Sequence, residues 1–98
     1  MSIQRGDGRQ TVTTAGTRVQ LSTTNTPITE VIITAETDNT GIIVVGVGTV
    51  VATLATRQGT PLLAGESLVM TEDNLTEIWL DSTVSTDGVT YQWIKKKE

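Results

Sequence analysis

The sequence predicts an all-β protein, an antiparallel β-sandwich with a jelly-roll-like arrangement of about eight short strands. Threonine, valine and isoleucine supply 39 of the 98 residues, and β-branched side chains are stiff at χ1 and pack well on pleated sheets. Short stretches of alternating polarity follow one another with turn residues every eight to twelve positions or so, and no amphipathic helix interrupts them. A chain of this length fits one domain.

The chain divides into three predicted parts. Residues 1–9 are polar and rich in glycine, with Ile3 as the single apolar anchor, and are predicted to form a flexible N-terminal arm. Residues 10–94 are predicted to form the single β-sandwich domain. Residues 95–98, Lys-Lys-Lys-Glu, form a basic C-terminal tail, interpreted as a solubilising end.

The first strands are predicted from alternating polarity. Residues 11–13 and 17–22 alternate apolar and polar side chains and are predicted as two short strands. Residues 23–27 supply turn chemistry and end in a proline. Residues 28–36 are the longest strand candidate, and the charged ends of one of its faces place that face in solvent.

The middle of the chain is less regular. Residues 37–41 have the composition of a hairpin-type connection. Residues 42–47 are almost continuously apolar, which indicates either a central strand buried on both faces or a strand buried at a subunit contact, and the central strand is favoured. Residues 50–56 fit a strand or a short helix, and their β-branched content favours a strand.

Three further strands complete the predicted sandwich. They are expected at residues 67–71, 77–81 and 89–94. A polar turn separates the first two, and a loop ending in Asp-Gly separates the last two.

The charge distribution bears on possible partners. Residues 1–94 contain four arginines and ten acidic residues, a balance of −6, and residues 95–98 return +2. An acidic body repels phosphate backbones, and three aromatic residues provide few platforms for base stacking, so no nucleic-acid partner is expected. The longest apolar run is far shorter than a membrane span, and the first residues lack the apolar segment of a signal peptide, so no membrane partner is expected.

The composition also limits catalysis. The chain contains neither Cys nor His, which removes thiol nucleophiles, imidazole bases and Cys/His zinc sites. Asp81 and Asp87 could approach each other as a carboxylate pair for glycoside hydrolysis, but their neighbours favour a role in stabilising turns. Glu72, Asp73 and Asn74 lack the ligand spacing of an EF-hand loop and are interpreted as a polar turn. We therefore expect no enzymatic activity, catalytic residue, metal or cofactor.

The aromatic residues are concentrated near the C-terminus, at Trp79, Tyr91 and Trp93. If the last two strands pair across the loop between them, the three rings form one cluster, which could bind a sugar. The favoured alternative is that a chain without Phe uses its few aromatic rings as plugs in the core or at an interface.

Five strand-and-turn stretches are distributed over residues 16–91, namely residues 16–22, 39–46, 61–67, 74–82 and 87–91. Together they resemble small β-sandwich structural proteins of tailed bacteriophages, that is, decoration or cement proteins and head or tail accessory proteins. The resemblance implies a virion protein made in the host cytoplasm, and most specifically a decoration protein that stabilises the phage head by binding to the shell as an oligomer. It supplies no site residues.

The same resemblance implies which partners the chain has. The major capsid protein or another virion protein is the expected partner, and a homotrimer would suit the local threefold positions of a shell. Ile3, Arg5 and Arg9 are the candidate partner-binding residues of the arm, so deletion of residues 1–9 is expected to leave a folded domain that no longer binds. The alternative function is a carbohydrate- or receptor-binding module of a tail or fibre that uses the aromatic cluster.

Overall fold

The computed structural model describes residues 2–97, and the side chains of residues 3–96. Within this range it contains eight strands and two short 3-10 helices. The strands are β1 (Ser2–Thr11), β2 (Val19–Gln20), β3 (Glu30–Ala35), β4 (Ile43–Gly46), β5 (Thr60–Leu62), β6 (Ser67–Thr71), β7 (Trp79–Ser82) and β8 (Gly88–Lys97), and the helices span Leu54–Thr56 and Leu75–Glu77. No helix among these residues has the length and apolar character needed to cross a membrane.

The strands form two antiparallel sheets of four strands each. Sheet 1 has the order β1-β8-β3-β6, and sheet 2 has the order β2-β7-β4-β5. Thus β1 pairs with β8, β2 with β7, β3 with β6 and β4 with β5, as in one long hairpin rolled up into two sheets. This is the strand order of an eight-stranded jelly roll, and the predicted all-β sandwich is confirmed.

Alternation along the strands creates the core between the sheets. In β3, Val31, Ile33 and Ala35 are buried, whereas Ile32 is exposed on the opposite face, as the charged ends of that face predicted. Ile43, Val45, Ile78 and Leu80 are among the buried residues that sheet 2 and its flanking turn contribute to the same cluster.

Strand β4 is buried on both faces, and the predicted central strand is confirmed. Val45 faces the main core, whereas Val44 packs on the other side of the sheet against Val50 and Ala52. Those two residues belong to residues 47–58, which we call the covering segment because they fold across the outer face of sheet 2. The almost continuous apolar run therefore reflects two internal contacts.

The covering segment corrects one predicted strand. Residues 50–56 do not extend any sheet in the part of the chain that the structure describes: Val51 makes a single bridge to Gln58, and Leu54–Thr56 form a 3-10 helix. The β-branched content reflects packing of Val50 onto sheet 2.

The connection at residues 37–41 also differs from its prediction. It crosses from β3 in sheet 1 to β4 in sheet 2, so it is not a hairpin. In this fold, β4 and β5 are the consecutive strands that lie in the same sheet. Local turn composition cannot distinguish a hairpin from a crossing between sheets, because the same Asp, Asn and Gly residues are common in both kinds of connection. In this crossing none of residues 37–41 has a positive φ.

The N-terminal segment predicted as a flexible arm is strand β1 in the structure. It pairs with β8 over its full length, from Ser2 opposite Lys97 to Thr11 opposite Gly88. The same ladder includes residues 95–97, which sequence analysis assigned to a separate tail. Met1 and Glu98, the outer ends of the predicted arm and tail, lie outside the described residues.

Candidate interaction surface

The outer faces of the two sheets differ. The covering segment packs on sheet 2, whereas the outer face of sheet 1 is open to solvent. Alternation and cross-strand register place on this open face Ile3, Arg5, Asp7 and Arg9 of β1, Thr90, Gln92, Ile94 and Lys96 of β8, Glu30, Ile32 and Thr34 of β3, and Ser67, Val69 and Thr71 of β6.

The open face carries an apolar patch on β3 and β6. Ile32 and Val69 lie directly opposite each other in the ladder between β3 and β6, and they are 44% and 56% exposed. Ile94 is half-buried on the same face, and Ile3 lies at its β1 end. Large apolar side chains that share one exposed face are typical of interaction sites.

A shallow trough runs along β8 on this face. Its floor contains Thr90, Gln92 and Ile94, and its sides carry residues of β1 and β3, among them Arg5 and Glu30. Opposite charges therefore flank a floor that is polar at Thr90 and Gln92 and apolar at Ile94, and such charges orient a partner.

Arg9, one of the predicted partner-binding residues, is bound within the chain. Its Nε donates to Oε1 of Glu36 over 2.8 Å, and its Nη2 donates to Oε2 over 2.9 Å. The hydrogen bond to Glu36 raises the pKa of Arg9 above its usual value. Ile3 and Arg5, the other two predicted residues, are exposed on the open face.

The inner side of β1 explains its glycines. Gly6 lies opposite Trp93, and Gly8 lies opposite Tyr91. A Cβ atom at Gly6 would lie 2.5 Å from Cζ2 of Trp93, and one at Gly8 would collide with the Tyr91 ring, so the two rings occupy the space above the glycines. Two glycines spaced two apart thus match two aromatic residues with the same spacing.

The three aromatic residues do not come together as one cluster within the described chain, because Trp79 lies on the outer side of sheet 2, away from the core between the sheets. Tyr91 and Trp93 pack against the core between the sheets, as the favoured plug interpretation expected. Trp79 packs on the other side of sheet 2 with Val44, Val50 and Ala52. It helps to hold the covering segment in place.

Asp81 has a structural role over long range. It is 2% exposed, and its Oδ2 accepts a hydrogen bond from the Ala52 amide over 2.9 Å. Its Oδ1 accepts from the amides of Gly16 and Ser82. This carboxylate joins three segments of chain, whereas sequence analysis expected it to stabilise its own turn.

Asp87 braces the crossing between β3 and β4. Its two carboxylate oxygens accept hydrogen bonds from the amides of Thr40, over 3.1 Å, and Gly41, over 2.8 Å. Asp81 and Asp87, which were considered as a carboxylate pair, therefore hold different loops. The carboxylate of each accepts hydrogen bonds from backbone amides.

The polar turn at residues 72–74 contains the cap of the second 3-10 helix. Oδ1 of Asn74 accepts from the amides of Thr26 and Thr76, so its side chain joins two turns. In the part of the chain that the structure describes, no group of three or more acidic residues is arranged to hold a metal ion.

Comparisons with known protein families, with curated proteins and with solved structures found no match for this chain. Sequence analysis found Ile3, Arg5 and Arg9 but did not identify the face to which they belong. The position of Ile32 on the charged-ended face of residues 28–36 was the signal that could have indicated this face.

Proposed function

We propose that the protein is a non-enzymatic structural protein of a tailed-phage particle, a decoration or cement protein that attaches to the shell through the outer face of sheet 1. The observation that carries the proposal is the difference between the two sheets. The chain covers sheet 2 with its own covering segment but leaves Ile32 and Val69 exposed on strands β3 and β6 of sheet 1.

The energetics of the open face support docking. Full burial of one large aliphatic side chain contributes about 1.5–3 kcal/mol, and residues at the centre of an interface contribute most. Ile32 lies on the inner strand β3, with Val69 of the edge strand β6 on one side and the charged residues Arg5 and Asp7 of β1 toward the other edge. A partner that covers this face removes apolar surface from water and leaves the charges at the rim, where they determine orientation.

The architecture supports a role in assembly as well. Jelly rolls are common in viral capsid proteins, although they also occur in lectin domains, so this support is an analogy of fold. A second support is the resemblance of five stretches within residues 16–91 to phage structural proteins. On this proposal the protein belongs to the virion, its partner is the major capsid protein or another virion protein, and it binds as a homo-oligomer.

The alternative of a sugar-binding module depended on one cluster of Trp79, Tyr91 and Trp93. The placement of Trp79 on the far side of sheet 2 separates this residue from the other two. The geometry thus favours attachment through the outer face of sheet 1 over recognition through an aromatic surface.

The substitution Ile32→Glu tests the proposal. The side chain is 44% exposed, so the fold should tolerate the change, and we expect the melting temperature to remain close to that of the wild type. Binding to shells that lack the protein should weaken by about tenfold or more, because a carboxylate would be buried at the centre of the contact. Co-sedimentation of the purified variant with such shells measures this effect.

Leu54→Glu is the matched control. Leu54 is also apolar and is 78% exposed, but it lies on the covering segment. This variant should bind shells as the wild type does. Equal binding by Ile32→Glu and the wild type would refute attachment through sheet 1.

A further inference from the structure

The outer edge of β1 is a long strand edge. This strand is the terminal strand of sheet 1 and spans ten residues. Just beyond it, the amide of Val12 donates to Asp87, and the carbonyl of Val12 accepts from Thr86. Since backbone groups alternate in direction along a strand, the even-numbered residues of β1 face β8 and the odd-numbered residues face the outer edge.

The side chains of the odd-numbered residues of β1 lie on the open face of sheet 1. From residue 3 to residue 9 they are Ile3, Arg5, Asp7 and Arg9. The backbone groups that face the outer edge therefore belong to a row in which the charged residues, Arg5, Asp7 and Arg9, alternate in sign. An exposed edge of this length is a template for another strand, and charges of one sign would repel a second copy. Alternating charges instead make attraction depend on register.

We propose that β1 pairs antiparallel with β1 of a second copy of this chain, with Gly6 at the twofold axis. In this register Arg5 lies opposite Asp7 of the second copy, and Asp7 lies opposite Arg5 of the second copy. Both pairs lie on the outer face, where opposite charges across strands attract. The tripeptide Arg-Gly-Asp is thus complementary to itself.

Other registers are less favourable. The odd-numbered residues of β1 point their backbone groups at the second copy, so odd residues must lie opposite odd residues. This condition is met whenever the twofold axis passes through a residue of β1, and the possible registers therefore differ in which residue lies on the axis. Centring on Arg5 or on Asp7 places that residue opposite its own copy, which brings like charges together. Centring on Gly8 pairs Asp7 with Arg9, but Arg9 is already bound in a bidentate pair to Glu36. Charge therefore selects the register centred on Gly6.

The selected register also accounts for Ile3. This side chain is 45% exposed at the end of the strand, and it lies opposite Arg9 of the second copy in the proposed pair. The aliphatic stem of an arginine can cover an apolar neighbour while its head group remains in water. The opposite edge of sheet 1, β6, contains no charged residue, so it offers Arg5 and Asp7 no partner.

The proposed contact joins two copies into one continuous eight-stranded sheet. The two open faces then lie on the same side of this sheet, and two patches of the kind formed by Ile32 and Val69 can bind one surface with the benefit of avidity. The contact has twofold symmetry, unlike the trimer that the resemblance implies. The proposed pairing of β1 strands extends beyond the proposed function. It does not depend on that function, because it can be measured on the purified chain alone.

A charge exchange tests the pairing. Sedimentation equilibrium of the purified protein should show a dimer. Asp7→Arg should raise the dimer dissociation constant by about tenfold or more, because it places Arg5 opposite an arginine in both pairs, and Arg5→Asp should do the same with two carboxylates. The double variant R5D/D7R restores opposite charges and should recover most of the dimer.

Asp73→Arg is the matched control. Asp73 is exposed and follows β6 at the opposite edge of sheet 1, so the same change in charge there should leave the dimer intact. Hydrogen exchange provides a second readout: the amides of Arg5 and Asp7 should become protected in the dimer and exchange rapidly in Asp7→Arg. A monomeric wild type, or a double variant that remains as dissociated as the single variants, would overturn the proposal.

Discussion

Deletion of residues 2–9 is expected to destabilise the domain by about 3 kcal/mol or more. The deletion removes most of β1, which pairs with β8 and lies against the rings of Tyr91 and Trp93. Both aromatic residues would gain solvent exposure, and β8 would become an edge strand. A loss of this size is large compared with the about 5–15 kcal/mol that stabilises a typical domain.

Urea denaturation measures this loss. Deletion of residues 2–4 is the matched control, because these residues pair only with residues 95–97, beyond the last pair of β3 with β8 at Glu30 and Ile94. The shorter deletion should change the free energy of unfolding by much less. If deletion of residues 2–9 left this free energy unchanged, the segment would be the dispensable arm that sequence analysis predicted.

Substitution of Asp81 by alanine is expected to destabilise the protein by about 3–5 kcal/mol. The carboxylate accepts hydrogen bonds from the amides of Gly16, Ala52 and Ser82, and it is almost completely buried. Its removal leaves those donors without their acceptor and releases the covering segment at Ala52. Asp81→Asn keeps one acceptor oxygen and should have an intermediate effect.

The free energy of unfolding of each variant, measured in urea, tests this role. Asp38→Ala is the control, because Asp38 is exposed and a surface change of this kind typically alters stability by no more than about 0.5 kcal/mol. A similarly small effect of Asp81→Ala would contradict the role assigned to the carboxylate. The same measurement on Asp87→Ala would report how strongly the crossing between β3 and β4 is held.

Sequence patterns predicted the fold class because it depends on short-range alternation. Val31, Ile33 and Ala35 alternate with less buried neighbours, and the continuous apolar run of β4 indicated burial on both faces. These features require no knowledge of which strands pair. Pairing was not predictable in the same way, because in this topology most consecutive strands lie in different sheets, and a turn sequence does not specify which sheet the chain enters next.

The N-terminal strand shows most clearly why sequence reasoning failed locally. Gly6 and Gly8 lower the β propensity of the segment, so local composition indicates a flexible arm. Their role becomes visible only beside Trp93 and Tyr91, which lie more than eighty positions along the chain. A matched spacing of two glycines and two aromatic residues was the one available signal, and it requires the register to be known.

The candidate surface was predictable only in part. Ile3 and Arg5 were identified as binding residues and are exposed on the open face, although their role in binding remains a proposal. Val69 was not singled out, because its exposure depends on the pairing of β6 with β3. The role of Asp81 was also hidden, since its hydrogen-bonding donors at Gly16 and Ala52 are distant in sequence.

Cryo-electron microscopy of purified phage particles that contain this chain tests whether sheet 1 attaches the protein to the head. We predict density for a two-sheet jelly roll on the outer surface of the head, with Ile32 and Val69 of sheet 1 turned toward the shell and the covering segment turned toward solvent. Density in the neck or tail, or attachment through sheet 2 with sheet 1 facing solvent, would contradict the account.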